Sequence, residues 1–152
     1  MPAILLALVL AASSGAAPVA IYVGPIVKNG FVDVDTGIED SIKDIQAELR
    51  KVKGVRVVPT EAEALLTLYV TGRKKEAGPP IAFGSAINGT GTAGSVPADV
   101  RTLETLLRVG SYERAFSAED HMYYSWRKCA ESIAKDVAVW LDKNRERVLT
   151  KP

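Results

Sequence analysis

The sequence predicts a two-layer α/β (α+β) domain, a mixed β-sheet with two amphipathic helices packed on one face. Three observations predict it. Runs rich in Val, Ile, Leu, Thr and Tyr alternate with Gly, Pro and Asn turn signals. Two segments repeat apolar residues at helical spacing. Each helix carries a single apolar stripe, and two stripes are covered most simply by one shared sheet face.

The chain has 152 residues, the length of one domain. Lys and Arg number 19 and Asp and Glu 18, for a net charge of +1. That balance lacks the basic excess of a nucleic-acid binder, and with only 7% aromatics no base-stacking platform is expected.

Residues 1–16 read as a signal peptide. The apolar run Ile4 to Ala12 is shorter than the ~20 residues of a membrane span. Small residues follow it, and Ser14 and Ala16 fit the small-x-small rule for cleavage after Ala16. No Lys or Arg precedes the run, and no Cys follows it for lipid attachment. The mature domain is therefore expected to span 17–152, in the periplasm or secreted, with no transmembrane segment after cleavage. Cys129 is the one cysteine, so no internal disulfide forms and the core must carry the fold.

Along the mature chain, Val19 to Val27 reads as a buried strand and Lys28-Asn29-Gly30 as a turn. The first helix follows. Ile38, Ile42, Ile45, Leu49 and Val52 recur at steps of four, three, four and three. Thr36 and Glu39 have the spacing of a capping box, and Gly54 is placed as the left-handed cap that ends the helix. Val55 to Val58 is a short strand, Thr60 to Ala64 a connector of about one helical turn, and Leu65 to Thr71 a strand apolar on both faces and therefore central. If the first two strands are parallel, their helical crossover should be right-handed.

Ala77 to Asp99 breaks all periodicity with five glycines and three prolines, and reads as a flexible Gly/Pro-rich loop. In Val100 to Ser117, Val100, Leu103, Leu106 and Leu107 before Gly110 fit a short capped helix, but the β-favouring Thr, Val, Tyr and Phe around Gly110-Ser111 favour extended chain, and the segment reads as strand with a two-residue hairpin. The last helix is expected from about Glu119 to Val148. Met122, Trp126, Cys129, Ile133, Val137, Trp140 and Leu141 line one face, and Ser117 with Asp120 resembles a capping box.

Few residues offer chemistry. His121, the one histidine, is expected at the solvated start of the last helix. Zinc needs several His or Cys ligands, and one of each is too few. Cys129 falls on the apolar stripe, where burial makes a thiol inert. DVDTGIED, with Asp33, Asp35, Glu39 and Asp40, has its glycine one place early for a calcium loop and no closing Glu. The segment Gly84 to Ser95 lacks the lysine of a phosphate loop, and Gly89 to Gly94 spells G-x-G-x-x-G without a preceding strand. Asn88-Gly89-Thr90 is a glycosylation sequon by pattern. There is no G-x-S-x-G elbow. No catalytic residue, metal ligand or cofactor is assigned. The candidate binding residues are Gly84, Asn88, Thr90 and Thr92 of the loop.

Val57 to Arg73 (VVPTEAEALLTLYVTGR), placed after a strand–helix unit, resembles a pattern of bacterial envelope proteins. It is similar to the amino-terminal domain of TolB and to domains of curli-secretion and penicillin-binding-protein-activator lipoproteins. The resemblance covers about half of the mature chain. It implies an envelope setting and a protein partner, and transfers no functional residue. The anchoring cysteine of the lipoproteins and the propeller of TolB are missing.

The expected function is that of a non-enzymatic exported domain binding an envelope protein through the 77–99 loop or an exposed sheet edge. Two alternatives stand beside it. One is a small secreted hydrolase with its site around His121, which needs a concave site with converging polar groups. The other is a carrier of apolar ligands, which needs a cavity between helices and sheet.

Overall fold

The computed structural model describes residues 17–28, 31–32, 36–83, 94–96, 99–121 and 125–150. The sheet has five strands, β1 (Val19–Pro25), β4 (Val55–Val57), β5 (Leu66–Ala77), β8 (Asp99–Val109) and β9 (Tyr112–Asp120), in the order β4-β1-β5-β8-β9. β1 is parallel to β4 and β5, whereas β8 is antiparallel to both of its neighbours, β5 and β9, so the sheet is mixed. Helices α1 (Thr36–Leu49) and α2 (Trp126–Leu149) cover one face. The expected two-layer fold is the observed one.

The core follows from period two in the strands meeting period 3.6 in the helices. Ile21, Val23, Leu66, Leu68, Leu103 and Leu107 point to the helices and are fully buried or nearly so. Ile38, Ile45 and Leu49 of α1 and Ile133, Val137 and Leu141 of α2 close over them. Each such side chain contributes about 1.5–3 kcal/mol of apolar burial. β5 lies third of five and is buried along Leu66 to Val70, as expected for a central strand. α1 ends at Leu49 in a turn that reaches Gly54, whose φ of 75° is the expected left-handed conformation.

Between β1 and α1, β2 (Val27–Lys28) and β3 (Phe31–Val32) form an antiparallel pair. The expected connector before β5 is the 3-10 turn Glu61–Glu63. Within the span read as a Gly/Pro-rich loop, β6 (Ile81–Phe83) pairs with β7 (Gly94–Val96), and β5 and β8 extend as paired strands to Ala77 and Asp99. The strand–strand ladder thus reaches further than the apolar pattern indicated.

The beginning of the last helix differs from expectation. Glu119 and Asp120 belong to β9, and α2 starts at Trp126. The ladder to β8 continues through Asp120↔Arg101, with Ala118 and Asp120 buried between exposed Ser117 and Glu119. Ladder pairing and this period-two burial outweigh the capping-box signature of Ser117 and Asp120. His121 consequently follows a strand instead of opening a helix.

The helices run in the same sense. α1 returns antiparallel to β1 between two parallel strands, and β8 is antiparallel to β5 and hence to β1. α2 follows β8 from Cys129, whose Sγ lies 3.4 Å from the Arg101 carbonyl oxygen, to Val148 beside Val109. It therefore runs antiparallel to β9.

Candidate functional site

The strongest surface feature is the β9 edge together with the groove it forms against α2. Gly110, with φ 57°, turns β8 into β9 by a two-residue hairpin. Register then runs unbroken for nine pairs, from Val109↔Tyr112 to Arg101↔Asp120. Among the described residues β9 pairs with β8 alone. Counting out from the turn, hydrogen-bonded and non-hydrogen-bonded pairs alternate, which points the N–H and C=O groups of Glu113, Ala115, Ser117 and Glu119 away from β8. The opposite edge, β4, is only three residues long.

The even-numbered residues of β9 face the helix layer. Beside them lies a groove of about 370 Å³, walled by Arg114 and Phe116 on the strand and by Asp136, Val139, Trp140, Lys143 and Asn144 on α2. Its floor is fixed. Trp140 is 6% exposed and stacks on Tyr112, and the Asn144 amide donates to the Trp140 carbonyl at 2.8 Å. Its lip is apolar and open at Val139, which is 48% exposed. Arg114 lies 5.3 Å from the Phe116 ring centre, and Arg147 lies 4.8 Å from that of Tyr112. One end of the groove is thus basic, with Arg114 and Lys143. Asp136 marks the other end, because α2 runs antiparallel to β9.

A larger groove of about 580 Å³ lies between the helices, floored by Val52, Ala134 and Ala138. Four of its charged wall residues pair with one another, Lys51 with Glu48 and Lys128 with Glu131, both at 2.7 Å, and Lys135 also lines it. It offers no unpaired backbone, so it ranks behind the β9 edge.

The residues singled out from sequence are placed as follows. Gly84, Asn88, Thr90 and Thr92 lie outside the described residues, as do Asp33 and Asp35 of the acidic segment and residues 1–16, which were expected to be a signal peptide. His121 is exposed and meets Glu119 at 3.1 Å; it lines none of the grooves above. Cys129 is fully buried, and its thiol is pushed up from the ordinary range by burial and then by the nearby Asp120 carboxylate. Asp120 itself is 7% exposed and accepts the Ser125 backbone N–H at 2.7 Å, which anchors the bend into α2.

Two polar clusters escaped the sequence reading. At the N-terminal end of the helix layer, Arg73 lies 4.0 Å and Arg101 5.6 Å from the Trp126 ring centre. On the helix-free face, the Tyr69 hydroxyl donates to Glu61 while Arg108 lies 5.1 Å from the ring and binds Glu113 at 2.8 Å. The Tyr69 phenol is raised first by burial and then by Glu61, opposite to what a nucleophile requires. Both clusters join residues distant in sequence, and their members carry no local motif.

No protein-family model, curated protein or solved structure matches the chain. Among the described residues no helix is long and apolar enough to cross a membrane, and no group of three or more His, Cys, Asp or Glu is placed to hold a metal ion.

Proposed function

We propose that this is a non-enzymatic, exported protein-binding domain that takes an extended segment of a protein partner onto the β9 edge. The observation that carries the reading is the nine-residue edge strand with an amphipathic groove along its helix side. Strand addition needs both parts. Unpaired main-chain groups supply affinity, and a groove for alternate side chains supplies selectivity. The outward groups of Ala115 and Ser117 supply the first, and Phe116, Val139 and Trp140 the second. The envelope setting rests on the leader-like residues 1–16 and the resemblance of Val57 to Arg73. The non-enzymatic reading draws on a solvated His121, a buried Cys129 and an acid-bound Tyr69.

The test uses a photo-reactive side chain at Val139 in the native host. It should cross-link a protein partner, and Ala115→Pro should remove the adduct while leaving the circular dichroism unchanged, since proline deletes an outward donor and no β8 ladder bond. Adducts that survive Ala115→Pro would place binding elsewhere. Esterase or peptidase activity lost on His121→Ala would favour the hydrolase.

A further inference from the structure

We infer that the partner this edge takes is a second copy of the same chain, paired β9 to β9 about a two-fold axis perpendicular to the sheet at Phe116. The inference rests on the strand-addition reading above and names its occupant. The charge pattern along the groove is symmetric about that axis.

Phe116 is the midpoint of β9, which spans Tyr112 to Asp120. On the helix layer above it, Val139 and Trp140 form the apolar centre of the groove. Asp136 and Lys143 flank that centre at equal distances along α2, three to four residues either way, and both are exposed. A two-fold axis through the centre exchanges their positions, so Asp136 of each copy faces Lys143 of the other, twice per dimer. Within one chain the two residues are about 10 Å apart along the helix and hardly interact. An isologous interface requires such self-complementarity.

The strand agrees. The same axis sets Ala115 opposite Ser117, and both are exposed and turn their hydrogen-bonding groups outward, so each pair closes two main-chain bonds. Side chains stay on matching faces, because the sum of paired residue numbers is even. Arg114 falls opposite Ala118, a small residue that leaves it room. The register also sets Glu113 against Glu119. That pair lies on the helix-free face, where Arg108 at 2.8 Å and His121 at 3.1 Å already hold the two carboxylates. The result is a continuous ten-stranded sheet with the two α2 helices side by side, and it covers the free edge of β9, the longer of the sheet's two outer strands.

The experiment is sedimentation velocity of the full chain over a concentration series, with charge-reversal variants. Wild type should self-associate to a dimer. Lys143→Asp and Asp136→Lys should each raise the dimer dissociation constant by about tenfold or more, because each sets two like-charge pairs face to face. A 1:1 mixture of the two variants should recover association to within about threefold of wild type, since the heterodimer pairs every charge correctly. Mixed Ala115→Cys and Ser117→Cys chains should form a disulfide on mild oxidation while neither variant alone does, because paired Cα atoms about 5.5 Å apart suit the bond and positions two residues off do not. A monomer at all concentrations overturns the inference, as does a dimer insensitive to both reversals or one cross-linked by Ser117→Cys alone. A monomeric chain that still gives adducts with a different protein from Val139 keeps the strand-addition reading and rejects only the second copy. Absence of both rejects both.

Discussion

Tyr112, the first residue of the edge strand, stacks on Trp140 of α2 with ring centroids 5.8 Å apart and planes inclined by 17°. Offset stacking of this kind adds about 0.5–1.5 kcal/mol to the area that the rings bury. Arg147 lies against the same Tyr112 ring at 4.8 Å. The contact ties an otherwise one-sided strand to the helix layer and holds the groove beside it open at a fixed width.

The two tryptophans of α2 should therefore differ in their effect on stability. Trp140 is 6% exposed, and Trp140→Ala should cost about 3–5 kcal/mol. Trp126 is only half-buried beneath Arg73, and Trp126→Ala should cost about 1–2 kcal/mol, mostly the lost cation–π contact and partial burial. Lys135→Ala, on the exposed side, should change stability by less than about 0.5 kcal/mol. Urea denaturation of the three variants ranks them, and equal losses at 126 and 140 would contradict the packing described.

Ser41 is fully buried on the sheet-facing side of α1, and its hydroxyl has no hydrogen-bond partner among the described residues. A buried hydroxyl without a partner keeps its desolvation cost and gains nothing in return. Ser41→Ala should raise stability by up to about 1 kcal/mol, read as a higher urea midpoint at unchanged slope. A loss of stability would show that the hydroxyl is satisfied in solution.

Cys129 supplies a pH dependence. Burial, reinforced by Asp120, holds its thiol above the ordinary range, so the folded state retains the proton longer than the unfolded chain does. Stability from this group is present below the unfolded thiol value of about 8.5 and falls as pH rises from there through the higher folded value. Cys129→Ser should flatten that alkaline slope. Thiol labelling at pH 8 should proceed only as fast as the protein unfolds, and rapid labelling of the native state would contradict the burial.

Gly54 occupies the left-handed region with φ 75°, and its carbonyl accepts from Arg145 at 3.0 Å, as does that of Ala17. Gly54→Ala should cost about 1–2 kcal/mol in backbone strain. A Cβ there would also come within 2.7 Å of the Arg145 guanidinium. Arg145→Ala combined with Gly54→Ala should lose less than the sum of the two single changes. A double-mutant cycle measures that coupling, and strict additivity would separate the two residues.

Much of the architecture was legible because it is written in short-range periodicity. The 38-42-45-49 stripe announced α1 and the Gly110-Ser111 dipeptide announced the hairpin; Gly54 is left-handed as expected, but α1 stops earlier, at Leu49, and Gly54 closes the turn that follows it. The start of α2 was misplaced by local chemistry. Ser117 and Asp120 have capping-box spacing, yet Asp120 sits at the end of a strand and anchors the helix by accepting from Ser125. The candidate site was the least legible part. The sequence reading allowed an exposed sheet edge but named residues of the 77–99 loop, and nothing in the spelling of Arg114 or Phe116 marks them as edge residues.

By itself the sequence determined which segments extend, which coil and which faces turn inward, because side-chain direction repeats every two or 3.6 residues and hydrophobicity follows that repeat. Strand order was decided only in three dimensions. β9 is an edge because β5 takes β8 on one side and β1 on the other, and each choice depends on contacts between residues tens of positions apart. The groove has the same origin. Phe116, Val139 and Trp140 become neighbours only after α2 is laid antiparallel along β9. Its charge symmetry is likewise tertiary, since Asp136 and Lys143 acquire a common centre with Phe116 only when helix and strand share one axis.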